Sequence, residues 1–455
     1  MSSAKATLSR RLVLDILIEA EKSAVKSTDL IKAVLDKNDY LEQRDKAFIR
    51  HLAEGCMERA ITLDYITDSF ATTKSAKMKS AVKMIMRMGV YQILFMDSVT
   101  DAAACNEAVA LAVSKGFSGL KGFVNGVLRN IARNKDKISW PDREKDPVGF
   151  FSVYYSMPEW IVELIVAERG RDTAEQMFKA CLKERNVSVN VLNADADKLL
   201  KEWEKDGIKA QKSPYGDSLY MLTDVPGVRR LYGYDEGAFI VQDAASAVCA
   251  HVAGIKKGDT VIDLCAAPGG KSMCAAKASA PDGKVYSFDI SEAKADKIRE
   301  NAGRLGFDNI ITAVHDATVF DETLCDKADV VIADLPCSGL GVMGRKADIR
   351  YRLKSEDIDQ LASLQREILK NAVRYVKPGG LLLYSTCTVS RRENEDNRRR
   401  LLDEHGLESV DFYDELPDAL KNDTAHEGYL QLISKGDEDA PLYDGFFISL
   451  QRRVK

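Results

Sequence analysis

The sequence predicts a multidomain chain: an all-α domain over residues 1–137, a small α+β connector over 138–241, and an α/β domain with a parallel, doubly wound sheet over 242–455. Three observations predict it. Apolar residues recur at helical spacing through the first part, where glycine and proline are sparse. Short runs that alternate polar and apolar residues mark the second. From Gln242 onward, short apolar runs alternate with helical stretches.

In the first part the periodic positions are Leu12, Leu14, Ile16 and Leu17, and then Val82, Ile85, Met86, Met88, Val90, Ile93 and Leu94. Trp140-Pro141 and Pro147 amid charges mark a linker over 138–150. A helix then opens near Pro158 in Tyr155-Ser-Met-Pro-Glu-Trp160. In the connector we expect strands near 186–192, 218–222 and 238–241, with a helix near 195–206. In the last part the apolar runs are Thr260–Leu264, Lys284–Asp289, Asn309–Val314, Asp329–Ala333, Gly380–Tyr384 and Gly445–Leu450. Helices are expected over 291–305 and 356–376.

Composition excludes several classes. No stretch approaches the roughly 20 consecutive apolar residues of a membrane span, and the opening MSSAKATLSRRLVLDIL lacks a secretory apolar core. A cytoplasmic protein is therefore expected. Nine cysteines without a framework spacing argue against a disulfide scaffold. No CxxC occurs and the five histidines stand apart from the cysteines, so no metal site is expected. The net charge of −5 is unevenly spread. Residues 1–137 hold 22 Lys+Arg against 16 Asp+Glu, and residues 401–445 hold two against 13. A basic first domain is compatible with phosphate binding despite the acidic total.

The chemistry concentrates at the ends of the apolar runs. Asp263-Leu-Cys-Ala-Ala-Pro-Gly-Gly-Lys271 follows one run and opens a helix. Its glycine pair lets a ligand approach the backbone at a helix N-terminus. Asp289 ends the next run, where an acid can accept from a ribose diol, and Asp316 ends the third, beside the base of the same nucleoside. An ordinary tight strand–helix turn remains an alternative for the glycine loop, and a strand cap for Asp316. The fourth run ends in Asp334-Leu-Pro-Cys-Ser-Gly339 and the fifth in Tyr384-Ser-Thr-Cys-Thr388. Two cysteines thus share the crevice expected for the cofactor. Carbon 5 of cytosine is too weak a nucleophile to take a methyl group directly. A thiolate added at carbon 6 makes carbon 5 an enamine carbon. An acid must share a proton at ring nitrogen 3, and a second group must remove the carbon 5 hydrogen. Asp334 and one of the two thiols are available for these tasks.

The strings DLCAAPGGKS, DLPCSG and STCT resemble the RNA 5-methylcytosine methyltransferases. The first 135 residues resemble the helical RNA-binding fold of the antitermination factor NusB. The matching strings are Leu63-Asp-Tyr-Ile, Met88-Gly-Val-Tyr-Gln-Ile-Leu and Phe123-Val-Asn-Gly-Val-Leu-Arg129. A NusB-like domain ahead of a Rossmann-like methyltransferase domain is the arrangement of the RsmB-type small-subunit ribosomal RNA enzymes. The resemblance implies S-adenosyl-L-methionine as cofactor, and small-subunit (16S) ribosomal RNA or a pre-ribosomal particle as partner. A monomer with no membrane and no metal is expected. By the family pattern Cys387 is the nucleophile and Cys337 assists release. Cofactor contacts fall on Cys265, Ala266, Ala267, Pro268, Gly269, Gly270, Lys271, Asp289, Asp316 and Asp334. The chain departs from the family at Met157, often His, and at Ala244, often Glu. Arg345, Lys346, Arg350, Arg352, Lys354, Arg391, Arg392 and Arg398–Arg400 follow the cysteine loops, and either phosphate contacts or a solvated helix face would account for them. Three rival functions stay open: transfer RNA as the methylated substrate, a non-catalytic RNA-binding or antitermination protein, and an NAD-dependent dehydrogenase. Intact Cys337, Cys387, Asp334 and Gly269-Gly270 weigh against the second, and the missing GxGxxG against the third.

Overall fold

The computed structural model describes residues 3–23, 25–436 and 441–454, without the side chains of 3–6. The chain divides into two compact units: residues 1–166 with 350–352, and 167–349 with 353–455.

The first unit is helical. Its centre is the helix Ser80–Phe95, against which the helices Ser3–Lys22, Gln43–Glu58, Ala60–Phe70, Asp101–Ser114 and Lys121–Arg133 pack. Periodic apolar residues explain that position, since Met84, Ile85, Met88 and Val90 are all buried in one core. Two glycines permit the close crossings. A Cβ on Gly55 would lie 2.0 Å from the Tyr91 ring, and one on Gly89 2.6 Å from Leu128. The segment expected as a linker is pinned to this unit. Trp140 stacks on Tyr65 at 5.6 Å and meets the edge of Tyr154 at 5.2 Å. Asp146 then caps the helix Pro147–Tyr155 by accepting from Gly149 N. Met157 is fully buried.

The second unit has two sheets. Strands β1 (Val187–Val191), β2 (Lys209–Lys212), β3 (Leu219–Thr223) and β4 (Phe239–Val241) form an antiparallel sheet in the order β2-β3-β1-β4. The helix Ala196–Lys205 covers it with Leu199 and Trp203. Sequence reading misses β2, because its edge residues Lys-Ala-Gln-Lys carry no apolar face.

The larger sheet holds β5 (Thr260–Asp263), β6 (Lys284–Asp289), β7 (Ile310–Val314), β8 (Ala328–Asp334), β9 (Val376–Thr386), β10 (Leu407–Ser409), β11 (Tyr429–Leu432) and β12 (Phe446–Arg453). Its order is β10-β12-β9-β8-β5-β6-β7, with β11 also on β12. Strands β5 to β9 are parallel, as expected, but β10, β11 and β12 pair antiparallel. The sheet is therefore mixed. No helix separates β11 from β12 among the described residues, and an antiparallel pair needs no helical crossover.

Alternate residues feed the two faces. Val261, Val330, Ile332 and Leu383 pack with Ala275 and Ala276 of the helix Gly270–Ser279. Ile262, Val331, Ala333, Leu382 and Tyr384 pack with Ile368, Leu369 and Ala372 of the helix Ser355–Tyr375. Burial on both faces explains why these strands read as continuous apolar runs. The chain leaves β5 toward β6 and β7 on one side and returns with β8 and β9 on the other, so a crevice opens at the carboxyl end of β5. No helix among the described residues is long and apolar enough to cross a membrane.

Candidate active site

The loop after β5 turns through Gly269, whose φ of +104° is a left-handed backbone that side chains resist. The helix Gly270–Ser279 starts there, with its free backbone N–H groups at the crevice. Ala266 N donates to Phe288 O at 2.8 Å, and Ala267 N donates to Asp289 Oδ2 at 3.0 Å. Residues 265–270 are thus tied to the end of β6. Asp263, at the end of β5, is 1% exposed and accepts from Ser272 Oγ at 2.7 Å. Burial pushes its carboxyl up to about 7.

Asp289 is 3% exposed and ends β6. Besides Ala267 N it accepts from Ile290 N at 2.8 Å and from Lys294 Nζ at 2.9 Å. Ile290, the next residue, is 62% exposed. Asp316, beyond β7, is exposed and accepts from Thr318 N and Oγ1 at 2.9 and 2.7 Å. Those bonds hold its carboxyl below the usual range.

The other wall is built on β8 and β9. Asp334 and Ser385 are register partners there, and Ser385 Oγ donates to Asp334 Oδ1 at 2.9 Å. Lys271 Nζ donates to Asp334 Oδ2 at 2.6 Å and to Ser246 Oγ at 3.0 Å. Burial opposes the Lys271 charge, but Asp334 and its neighbours outweigh it and raise the ammonium pKa. Sequence pattern alone gave no sign of that reach from the glycine loop to the Pro-Cys loop.

Cys337 Sγ and Cys387 Sγ stand 3.3 Å apart, without a disulfide. The contact with Cys387, and then burial, push the Cys337 thiol well above its ordinary range. The residues after the two cysteines also meet, with Ser338 Oγ 2.6 Å from Thr388 Oγ1. Gly341 N donates to Cys387 O at 3.1 Å. The structure thus brings Asp334, Lys271, Cys337 and Cys387 together on one wall. Cys265 through Gly270 and Asp289 lie at the neighbouring strand ends, and Asp316 lies at the rim.

Several candidate basic residues serve the fold. Arg345 pairs with Asp243 at 2.8 Å and Asp444 at 2.9 Å. Arg350 is 1% exposed and donates to Glu58 O at 3.0 Å within the helical unit. Arg398 lies over the Tyr429 ring at 4.6 Å. Lys346, Lys354, Arg391, Arg399 and Arg400 are exposed. Ala244 packs in the apolar core. Sequence reading missed Ser246, Ser385, Lys294 and Glu393. Ser385 neighbours Thr386-Cys387, a usable signal. Glu393 follows two arginines and reads as solvated, yet it is fully buried.

The family described as 16S rRNA methyltransferase RsmB/F matches residues 250–451, and the NusB family matches residues 7–133. The chain is 33% identical over 457 residues to the probable ribosomal RNA small subunit methyltransferase B of Bacillus subtilis (strain 168), covering 99% of each. Among solved structures, PH0851 superposes with a TM-score of 0.78 and 25% identity, covering 97% of this chain and 99% of that one. NSun6 from Pyrococcus horikoshii, solved with SFG, shares the fold at a TM-score of 0.56 and 22% identity, over 66% of this chain and 98% of that one. Likeness over nearly the whole length, with both family matches in the same order as the two units, places this chain in the RsmB/F family of 16S rRNA methyltransferases.

Proposed function

We propose that the protein transfers a methyl group from S-adenosyl-L-methionine to carbon 5 of a cytosine in small-subunit ribosomal RNA, through a covalent adduct with Cys387. The observation that carries this reading is the pair of thiols 3.3 Å apart at the ends of β8 and β9, beside the Lys271–Asp334 pair. One thiol suffices for most covalent catalysis. Two in contact suit a reaction that must both add to carbon 6 and strip a proton from carbon 5.

The crevice residues fit the cofactor. Asp289 and Asp316 offer carboxylate oxygens to hydroxyl and amine donors, exposed Ile290 offers apolar surface to a ring, and the Gly269–Gly270 turn opens a helix N-terminus. When bound, the cofactor supplies the electrophilic methyl group. Cys387 adds as thiolate to carbon 6, and Asp334 shares with ring nitrogen 3 a proton drawn from its bond to the Lys271 ammonium. The carbon 5–carbon 6 electron pair then takes the methyl group. While Cys387 carries charge, Cys337 holds its proton. Once Cys387 is bonded to carbon, that restraint is gone and Cys337 can ionise, its proton passing to solvent. As thiolate it takes the carbon 5 hydrogen as a proton. The released electron pair restores the ring double bond and expels Cys387, and ring nitrogen 3 returns its proton through Asp334 to Lys271.

The helical unit matches the NusB family, and residues 1–137 carry the basic excess, which supports a role in holding RNA phosphates. Bisulfite sequencing of ribosomal and transfer RNA from cells with and without the protein tests the reading. Loss of one protected cytosine in small-subunit ribosomal RNA is expected. Loss confined to transfer RNA would change the substrate, and no loss in either RNA would overturn the reaction.

A further inference from the structure

The reaction above makes no use of the buried carboxylate of Glu393. Glu393 lies six residues after Cys387 and is 0% exposed. Its Oε1 accepts from Ser338 N at 2.8 Å and from Gln365 Nε2 at 3.0 Å. Its Oε2 accepts from Ser338 Oγ at 2.5 Å. Ser338 is the residue after Cys337, and its Oγ touches Oγ1 of Thr388, the residue after Cys387. Gln365 also donates to Pro336 O at 2.9 Å, the residue before Cys337. Tyr384 OH donates to the Glu393 backbone carbonyl.

An acid is a costly way to fill a dry volume, and burial pushes the Glu393 carboxyl up. A carboxylate does offer two oxygens at fixed spacing, here grasping one residue by its backbone and its side chain at once. The strand ladder ends at Asp334↔Ser385, before either cysteine. Beyond that point, register between the two loops must come from contacts other than the ladder, such as these and the bond from Gly341 N to Cys387 O.

We propose that Glu393 is a positioning residue: by holding Ser338 at two points, and Thr388 through Ser338, it fixes the Pro-Cys and Thr-Cys loops so that the two sulfurs face the two ends of one carbon–carbon double bond. The proposal deepens the two-thiol reading and rests on it for its catalytic meaning. The geometric part stands separately.

The test measures sulfur proximity and catalysis side by side on the full-length protein. Phenylarsine oxide, a trivalent arsenical, bridges two adjacent thiols. Each thiol gives up its proton, two arsenic–sulfur bonds form and the arsenic-bound oxygen leaves as water, with no change of oxidation state. Peptide mass mapping locates the bridge. In the wild type, one arsenical should span Cys337 and Cys387. Glu393→Ala should slow bridging by roughly tenfold and single-turnover methyl transfer by roughly a hundredfold, the scale of an ångström-sized misplacement. Its S-adenosylmethionine dissociation constant should stay within about twofold, because the cofactor loop is tied to β6 and not to Glu393. Glu393→Gln keeps one acceptor for Ser338 N and can offer its amide to Ser338 Oγ, so it should recover both rates to within about threefold of wild type. Unchanged bridging in Glu393→Ala overturns the proposal, and so does a loss of bridging that only parallels a loss of cofactor binding and of thermal stability. If Glu393→Ala does not fold, Ser338→Ala combined with Thr388→Val decides by the same criteria. Slowed bridging together with a wild type that methylates no cytosine would keep the brace and discard the reaction.

Discussion

The two walls of the crevice are built on opposite plans. At the ends of β8 and β9, Glu393, Ser338, Thr388 and Gln365 are buried and bonded to one another across three chain segments, with Ser338 and Thr388 directly following the two cysteines. At the ends of β6 and β7, Asp316 is exposed with its own Thr318 as partner, Ile290 is 62% exposed, and the partner Lys294 is half-exposed. On the proposed reaction the first wall must hold two sulfur atoms in place, and its buried, cross-linked network suits that task. The second, on the proposed reading, admits and releases a ligand, and it leaves Asp316 and Ile290 exposed while Asp289 alone is buried. On that reading, the denser buried network lies beside the bond-making atoms.

The largest effects should come from the dry wall. Cys387→Ala should lower methyl transfer by at least about a thousandfold, the scale of removing a nucleophile, with cofactor affinity nearly unchanged. Radiolabelled transfer and calorimetry measure the two, and substantial turnover would put the nucleophile elsewhere. Cys337→Ala should instead accumulate a protein–RNA species that survives denaturing electrophoresis. Cys387→Ala should show none, and the double variant should follow Cys387→Ala. The stable species in Cys387→Ala but not in Cys337→Ala would exchange the two roles.

Asp263 tests where the dry wall ends. Its carboxyl lies at about 7 in the fold against 3.8 ordinarily. A raised acid favours the fold fully below its unfolded value and loses that contribution as pH rises toward its folded value. Wild type should therefore lose about 2–4 kcal/mol relative to Asp263→Asn between pH 4 and pH 7.5, taking roughly 1.4 kcal/mol per pKa unit. Cofactor-free thermal melts of both proteins across that range measure it, and parallel stability curves would show that water reaches Asp263.

Smaller effects belong to the open wall. Asp289→Ala should weaken S-adenosylmethionine binding by roughly 1.5–3 kcal/mol, the range for charged hydrogen bonds. Asp316→Ala should cost less, about 1 kcal/mol or below, because an exposed acid trades its partners for water. Calorimetry that ranks Asp316 above Asp289 would reverse the ordering inferred from burial.

The legible parts of this protein were local ones. Helical periodicity in residues 1–137 and the apolar runs from Thr260 to Leu450 specify helices and doubly covered strands, because side-chain burial repeats with the backbone period. The Gly269–Gly270 turn, Asp289, and the two cysteines at strand ends were visible for the same reason: each follows its own strand within a few residues. The antiparallel pairing of β10, β11 and β12 was not legible, since an apolar run does not state its direction. Nor was the fate of Arg345, Arg350 and Arg398, whose partners lie far away along the chain or in the backbone. The tertiary structure alone decided that Lys271 meets Asp334 across 63 residues, that Cys337 meets Cys387 across 50, and that Glu393 meets Ser338 across 55. Sequence by itself determined which residues stand at strand ends. Which of them touch depends on strand order, β9-β8-β5-β6, and that order is set by how whole helices bury their faces on the sheet, a sum over many contacts that no single motif carries.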